Sequence, residues 1–309
     1  IWVGAATGGV WKSADGGLTW RPVFDDQPAA AIGALAIDQS NPDVVWVGTG
    51  EGNPRNSVSV GWGVYRSLDG GRTWKHLGLE KTERIHRIVL HPTNPDVAWV
   101  AALGRLWGEN PERGVFKTTD GGRTWRKVLY VDEKTGASDL VIDPANPTKL
   151  FATLWVHRRQ PWFFRSGGPG SGIHVTYDGG ESWTRITEDD GLPSGDLGRI
   201  GLAVSRSNPE IVYALVEARK SALVRSDDGG RTWKTVNDDQ RTANRPFYYA
   251  DIRVDPAWPN RVYNIATRLS VSNDGGRTFE DMDTRIHGDY HAMWIDPKDR
   301  AHLIGGSVC

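Results

Sequence analysis

The segment His287-Gly-Asp289-Tyr-His291 sets two imidazoles and a carboxylate at alternate positions. In an extended backbone such side chains share one side. The trio could then hold a metal, place a general acid beside a base, or form a hydrogen-bonded structural cluster. One segment seldom completes a metal site, and no zinc-ligand spacing occurs, so neither a metal nor a cofactor is expected. Carboxylates that could form an acid/base pair for hydrolysis are available at Glu51, Glu109, Glu112, Asp139, Asp196, Glu217, Asp251 and Asp289. Glu51 and Asp289 are the preferred acid/base pair, because both are expected near the axis of the repeat architecture developed below. No serine-nucleophile elbow, phosphate loop or dinucleotide motif is found.

A second cluster joins aromatic and basic residues. Three long stretches run Glu51–Trp62, Gly104–Arg113 and Trp155–Arg165, and they carry Arg55, Arg105, Trp107, His157, Arg158, Trp162 and Phe163. Aromatic faces stack on sugars, and guanidinium groups grip carboxylates of acidic glycans. The same residues could instead pack each loop onto itself. With His287 and His291 they form the expected substrate-binding set.

These residues must be positioned by elements, and the elements repeat. The phrase Ser13-Ala-Asp15-Gly16-Gly17-Leu-Thr19-Trp20 returns, with small variations, around Asp69, Asp120, Asp178, Asp228 and Asp274. A period of about 50 residues with strand-like segments between predicts blades around an axis. Each blade reads as four strands, A to D. Strand A recurs at Ile32–Asp38, Ile85–His91, Ser138–Asp143, Arg199–Ser205, Tyr249–Asp255 and Tyr290–Asp296. Strand B recurs at Trp2–Gly4, Val44–Gly48, Val97–Ala101, Leu150–Thr153, Ile211–Leu215 and Val262–Ile265, with a further B-like piece at His302–Gly305. The prediction is an all-β propeller of four-stranded antiparallel blades, six by repeat count, with seven open. Residues 1–309 form one domain on this reading, and the C-terminal strand A could complete the N-terminal blade.

Six copies of Asp-Gly-Gly argue for a mechanical role, since a catalytic centre needs one constellation. The glycines supply positive φ to a tight C–D hairpin, and the Asp carboxylate accepts hydrogen bonds from the turn. C–D turns fall on one rim of a blade, and B–C loops and D-to-A connections on the other. Function is therefore expected on the rim opposite the six repeats, where the long loops lie. His86, Arg87, Asp139, Arg199, Tyr249 and Asp251 occupy comparable strand-A positions and could face the central channel.

Bulk properties set the remaining limits. The formal net charge is −1, which gives no global field for nucleic acid or membrane. No apolar run reaches the ~18–20 residues of a membrane span. Cys309 is the sole cysteine, so no intrachain disulfide can form. The chain opens at Ile1 in a strand-like run, without a signal-like stretch, and reads as a piece of a longer protein, expected to be monomeric.

The repeated phrase is the Asp box, or BNR repeat, and resembles the repeats of sialidases, xyloglucan-hydrolysing propellers and sortilin/VPS10 ectodomains. Asn41-Pro-Asp-Val-Val-Trp-Val-Gly-Thr-Gly-Glu51, Gly114–Trp125 and Ile286–Pro297 look like bacterial proteins described as sortilin-like or BNR-repeat glycosyl hydrolases. The resemblance implies a secreted or periplasmic glycan-active propeller, a hydrolase acting on a polysaccharide or oligosaccharide. The alternative it implies, placed second, is a non-catalytic sortilin-like module that captures glycans or peptides. An assembly scaffold like the propeller factors for photosystem assembly is a third reading. Two family signatures are absent: the Arg-Ile-Pro phrase of sialidases, and the aspartate of the Thr-Asp-x-Gly-Gly phrase of xyloglucanases. The matching stretch here is Ala5-Ala6-Thr7-Gly8-Gly9.

Overall fold

A computed structural model describes residues 1–282, 285 and 287–307. Ile286, which opens one of the phrases above, and Cys309 lie outside the described residues. The chain forms two compact units. One comprises Ile1–Leu140 with His157–Arg165, and the other Val141–Val156 with the chain from Ser166 onward.

The first unit holds a three-stranded sheet of Trp2–Ala5, Gly9–Lys12 and Arg21–Pro22, which are strands B, C and D. A four-stranded sheet follows, of Ile32–Ile37, Val45–Thr49, Val64–Ser67 and Lys75–His76. The next consists of Ile85–His91, Asn94–Ala102, Gly114–Thr118 and Arg126–Leu129. All neighbours pair antiparallel in sequence order. Strand B of the second sheet is buried along its whole length, while strand D is short and outlying. Continuous apolar runs such as Val44-Val-Trp-Val47 form strand B because both faces of the sheet are covered. The turn before Val97 is tighter than expected: His91 pairs with Asn94, so the bend shrinks to Pro92–Thr93.

In the second unit, Ile200–Val204, Val212–Val216, Ala222–Ser226 and Lys234–Asn237 form one four-stranded sheet. Asp251–Val254, Val262–Ile265, Leu269–Ser272 and Glu280–Asp281 form the next. Tyr290–Ile295 pairs with Leu303–Ser307. Gly172–Thr176 pairs with Leu150–Leu154 on one side and with Thr184–Ile186 on the other. Tyr249 belongs to a single helical turn, Pro246–Tyr249, rather than to strand A, because the proline at its first position fixes a helical φ. The third long loop is also more regular than expected: strand B extends to Gln160 and folds back as Phe163–Ser166.

Side chains interlock between neighbouring sheets within each unit. Phe151, Ile173, Ile200, Val212 and Trp233 share one core in the second unit, and Trp46, Val64, Ile85, Val100 and Phe116 share one in the first. The inner strands approach backbone to backbone. A Cβ at Gly33 would lie 2.2 Å from the Ile85 carbonyl oxygen, and one at Gly201 would lie 2.2 Å from that of Ala250. Only glycine permits this approach. Among the described residues, no helix is long and apolar enough to cross a membrane.

The Asp boxes repeat atom for atom. In the first, Thr19 donates from its amide (2.9 Å) and hydroxyl (2.5 Å) to the two oxygens of Asp15. The Ser13 hydroxyl donates to Asp15 and accepts from the Gly17 amide, both at 2.8 Å. Asp69, Asp120, Asp178, Asp228 and Asp274 make the same bonds. Hydrogen bonds from the Thr or Ser four residues on hold Asp15, Asp69, Asp120 and Asp178 well below the usual carboxylate range. Burial opposes this at Asp228 and Asp274, yet the Thr232 and Thr278 bonds bring both down to about 2. The box tryptophans differ in reach. Trp74 and Trp125 donate to Val23 and Leu77 of the preceding sheet, whereas Trp20 and Trp233 donate within their own turns.

Candidate functional site

In each sheet of the first unit the B–C loop leaves the end opposite the Asp box, and the long loops are braced there by a hydrogen-bonded strap. The strap is the one-turn helix Glu80–Thr82 with Glu83 and Arg84. The amide of Gly61, in the first loop, donates to the Glu83 carbonyl (2.6 Å). Arg105 of the second loop pairs with the Glu83 carboxylate (2.7 Å), and Asn110 donates to the Lys81 carbonyl (3.0 Å). The third loop joins through the Arg159 amide, which donates to the Leu106 carbonyl (2.8 Å).

His157 is the keystone of this brace. It is 1% exposed, with Nε2 2.6 Å from the Arg84 guanidinium and Nδ1 3.3 Å from that of Arg113. Arg113 is itself buried and donates to the carbonyls of Lys134, Arg105 and Gly108. Burial lowers its pKa to about 10. His157, expected to touch substrate, has its ring inside the loop base between the Arg84 and Arg113 guanidinium groups. Arg84 was not a sequence candidate, because nothing in its spacing marks it.

Above this base the aromatic residues are open. Trp62 is 53% exposed, Trp107 48%, Trp162 79% and Phe163 44%. Arg158 is exposed beside them in sequence. Trp155 behaves differently: it is fully buried in the second unit, donates to the Ser166 hydroxyl (3.0 Å) and lies under the Arg199 guanidinium. The self-packing alternative therefore describes Trp155 and not Trp162.

Glu51 is 6% exposed. Its oxygens accept from Arg55 (2.5 and 3.3 Å) and from the Ser59 amide (3.3 Å), so it closes its own loop. In the second unit, Asp289 accepts from the Tyr249 hydroxyl (2.5 Å). The extended geometry expected for the trio does not hold. Asp289 has φ 64°, a left-handed conformation that Asp tolerates, with its amide donating to the Thr267 carbonyl. That break in the alternation separates His287, which is exposed with Nδ1 3.0 Å from the Gly288 carbonyl oxygen, from His291. His291 stacks on Tyr249 (5.1 Å) and meets Tyr248 edge-on (4.5 Å), and burial lowers its pKa to about 4. Among the described residues, no group of three or more His, Cys, Asp or Glu is placed to hold a metal ion.

The other carboxylates are distributed. Asp139 pairs with Arg87 (2.8 Å), Asp251 with Arg253, Glu109 with Lys134 (3.8 Å) and Glu112 with Lys127 (3.9 Å). Glu217 and Asp196 instead line one cavity of about 480 Å³ in the second unit, with Ser166, Ser194, Gly198 and Arg219.

Comparison with known proteins places this geometry. The Sortilin-Vps10 family (sortilin, neurotensin receptor 3) matches residues 63–213. An oligoxyloglucan-reducing end-specific xyloglucanase of Emericella nidulans is 26% identical over 270 residues, covering 81% of this chain and 30% of that enzyme. The chain thus spans under a third of that relative's length. Among solved structures, an ancestral GH74 enzyme superposes with TM-score 0.65 at 17% identity, over 90% of this chain and 35% of that one. YCF48 bound to D1 peptide gives TM-score 0.61 at 16% identity, over 100% of this chain and 89% of that one. With its six Asp-box turns and antiparallel sheets, the chain is an Asp-box, or BNR-repeat, β-propeller resembling sortilin/Vps10 and GH74 glycosyl hydrolase proteins.

Proposed function

We propose that the chain is a glycan-active propeller, a glycoside hydrolase acting on an extracellular polysaccharide from the loops opposite its Asp boxes. The observation that carries this reading is the set of exposed aromatics, Trp62, Trp107, Trp162 and Phe163, on loops braced to one another. Large apolar faces held open to water on a stiff base serve as contact surfaces. Indole faces stack on sugar rings, and Arg55, Arg105 and Arg158 suit acidic substituents. The xyloglucanase relative supports polysaccharide as the substrate class. Such substrates place the protein outside the cell or in the periplasm. The reading needs no cofactor, no nucleic acid and no second copy of the chain.

Glu51 in the first unit and Asp289 in the second are each proposed as a reacting carboxylate. Both accept hydrogen bonds from neighbours, which suits a base or nucleophile and leaves a proton donor to be assigned. The test is a screen of purified polysaccharides for binding and for new reducing ends, with Glu51→Gln and Asp289→Asn alongside. Reducing ends from the parent protein, reduced in either variant, support the reading, and binding with no product removes hydrolysis from it.

The match to YCF48 over nearly the full length of both chains favours a second reading, a peptide-capturing module. Binding of extended peptides, with no glycan retained, would select it.

A further inference from the structure

The cavity of the second unit is lined by the carboxyl group of Glu217. Glu217 sits at the end of strand Val212–Val216. Its Oε2 accepts two hydrogen bonds, from the Ser166 hydroxyl (2.6 Å) and the Arg199 amide (2.7 Å). Ser166 is fixed in turn by the buried Trp155 indole N–H (3.0 Å). Oε1 has no hydrogen-bond partner among the described residues, and Glu217 lines the cavity. The carboxyl is pressed against Gly198, where a Cβ would lie 2.2 Å from its carbon. With both donors on Oε2, a proton on this group resides on Oε1. Burial raises the pKa of Glu217, against the opposing hydrogen bonds of Ser166 and Arg199 and the charge of Arg199. Asp196, exposed, and Arg219 are the other charged groups of the cavity.

Resting on the hydrolase reading above, but placing its chemistry in this cavity in place of Glu51 and Asp289, we infer that Glu217 is the proton donor of the reaction and that Asp196 on the same cavity is the base that activates water. The cavity volume falls within the range of about 300–1,000 Å³ usual for small-ligand sites. As the glycosidic C–O bond breaks, the Oε1 proton passes to the departing oxygen and leaves Glu217 as carboxylate. Water adds its oxygen to the anomeric carbon, and its proton goes to Asp196. Proton exchange with solvent returns both groups to their starting states, so the net reaction is hydrolysis. A half-buried acid and an exposed carboxylate on one cavity offer the division of roles that such chemistry requires.

The experiment compares Glu217→Gln with the parent on the polysaccharide that the parent cleaves best and on a dinitrophenyl glycoside of the same sugar. The dinitrophenolate leaves without protonation. The expected result is about a thousandfold loss of kcat on the polysaccharide, near-parent rates for aglycone release from the aryl glycoside, and an unchanged Kd for the polysaccharide. Ser166→Ala supplies an independent measurement. Loss of a donor to the ionised carboxyl should move the basic limb of the pH–rate profile upward. Equal losses on both substrates, or an unmoved limb in Ser166→Ala, would overturn the assignment. A parent protein that cleaves no glycan overturns the hydrolase reading itself, whereas a cleaving parent with an unaffected Glu217→Gln overturns the assignment alone.

Discussion

Trp162→Ala separates binding from folding. The side chain is 79% exposed. A tryptophan presents up to about 250 Å² of surface, so about 200 Å² is open here. A pyranose stacked on one indole face covers about 80 Å² of it. At about 25 cal/mol per Å² this contributes about 2 kcal/mol, or about 30-fold in Kd. Because little of the ring is buried in the fold, its removal should change stability by no more than about 0.5 kcal/mol. The assay is titration calorimetry with the best glycan from the screen, beside urea unfolding of the same preparations. Trp155→Ala is the contrasting control: Trp155 is fully buried and bonded to Ser166, and its truncation should cost about 3–5 kcal/mol of stability. A Trp162→Ala protein that binds glycan within twofold of the parent refutes the stacking argument, and one that is destabilised by more than 1 kcal/mol refutes the claim that this ring is free of the fold.

Two further outcomes are expected. The Asp-box carboxylates titrate lower in the folded chain than in the unfolded one, so their contribution is fully present above the ordinary carboxylate pKa and is lost as pH falls toward 2. The melting temperature should therefore drop between about pH 5 and pH 2, and Asp228→Asn with Asp274→Asn should flatten that drop. Arg113→Met leaves three backbone carbonyls without their guanidinium donor. Stability should fall by about 3 kcal/mol in urea unfolding, and glycan affinity should fall with it as the second and third loops lose their brace.

Most of the fold was legible in the chain because its determinants are local. Asp15, Ser13 and Thr19 lie within seven residues of one another, and the same bonds follow wherever that phrase occurs. Strand Ile85–His91 was legible for the same reason, since its pattern and its turn are contiguous. The strand limits failed where a distant constraint acted. Tyr249 reads as strand by composition, but Pro246 starts a helical turn whose carbonyls at Phe247 and Tyr248 receive the Arg199 guanidinium. The third stretch, Trp155–Arg165, was read as a loop because its arginines and aromatics hide a hairpin.

The candidate site divides along the same line. Residue type and spacing alone named the aromatic loops, the set of available carboxylates and the six turn aspartates, since each depends on neighbours a few residues away. Tertiary structure decided which members of those sets stay exposed and which are buried or paired. His157 and Trp162 lie five residues apart in one loop, yet Arg84 and Arg113 bury the first while the second stays in water. Glu51 and Glu217 are both glutamates at strand ends. An adjacent arginine, four residues on, closes Glu51, whereas Ser166, Arg199 and Gly198 from other segments hold one oxygen of Glu217 and leave the other on the cavity. Exposure and protonation are set by whichever groups the fold brings within a few ångströms, and no local spacing carries that information.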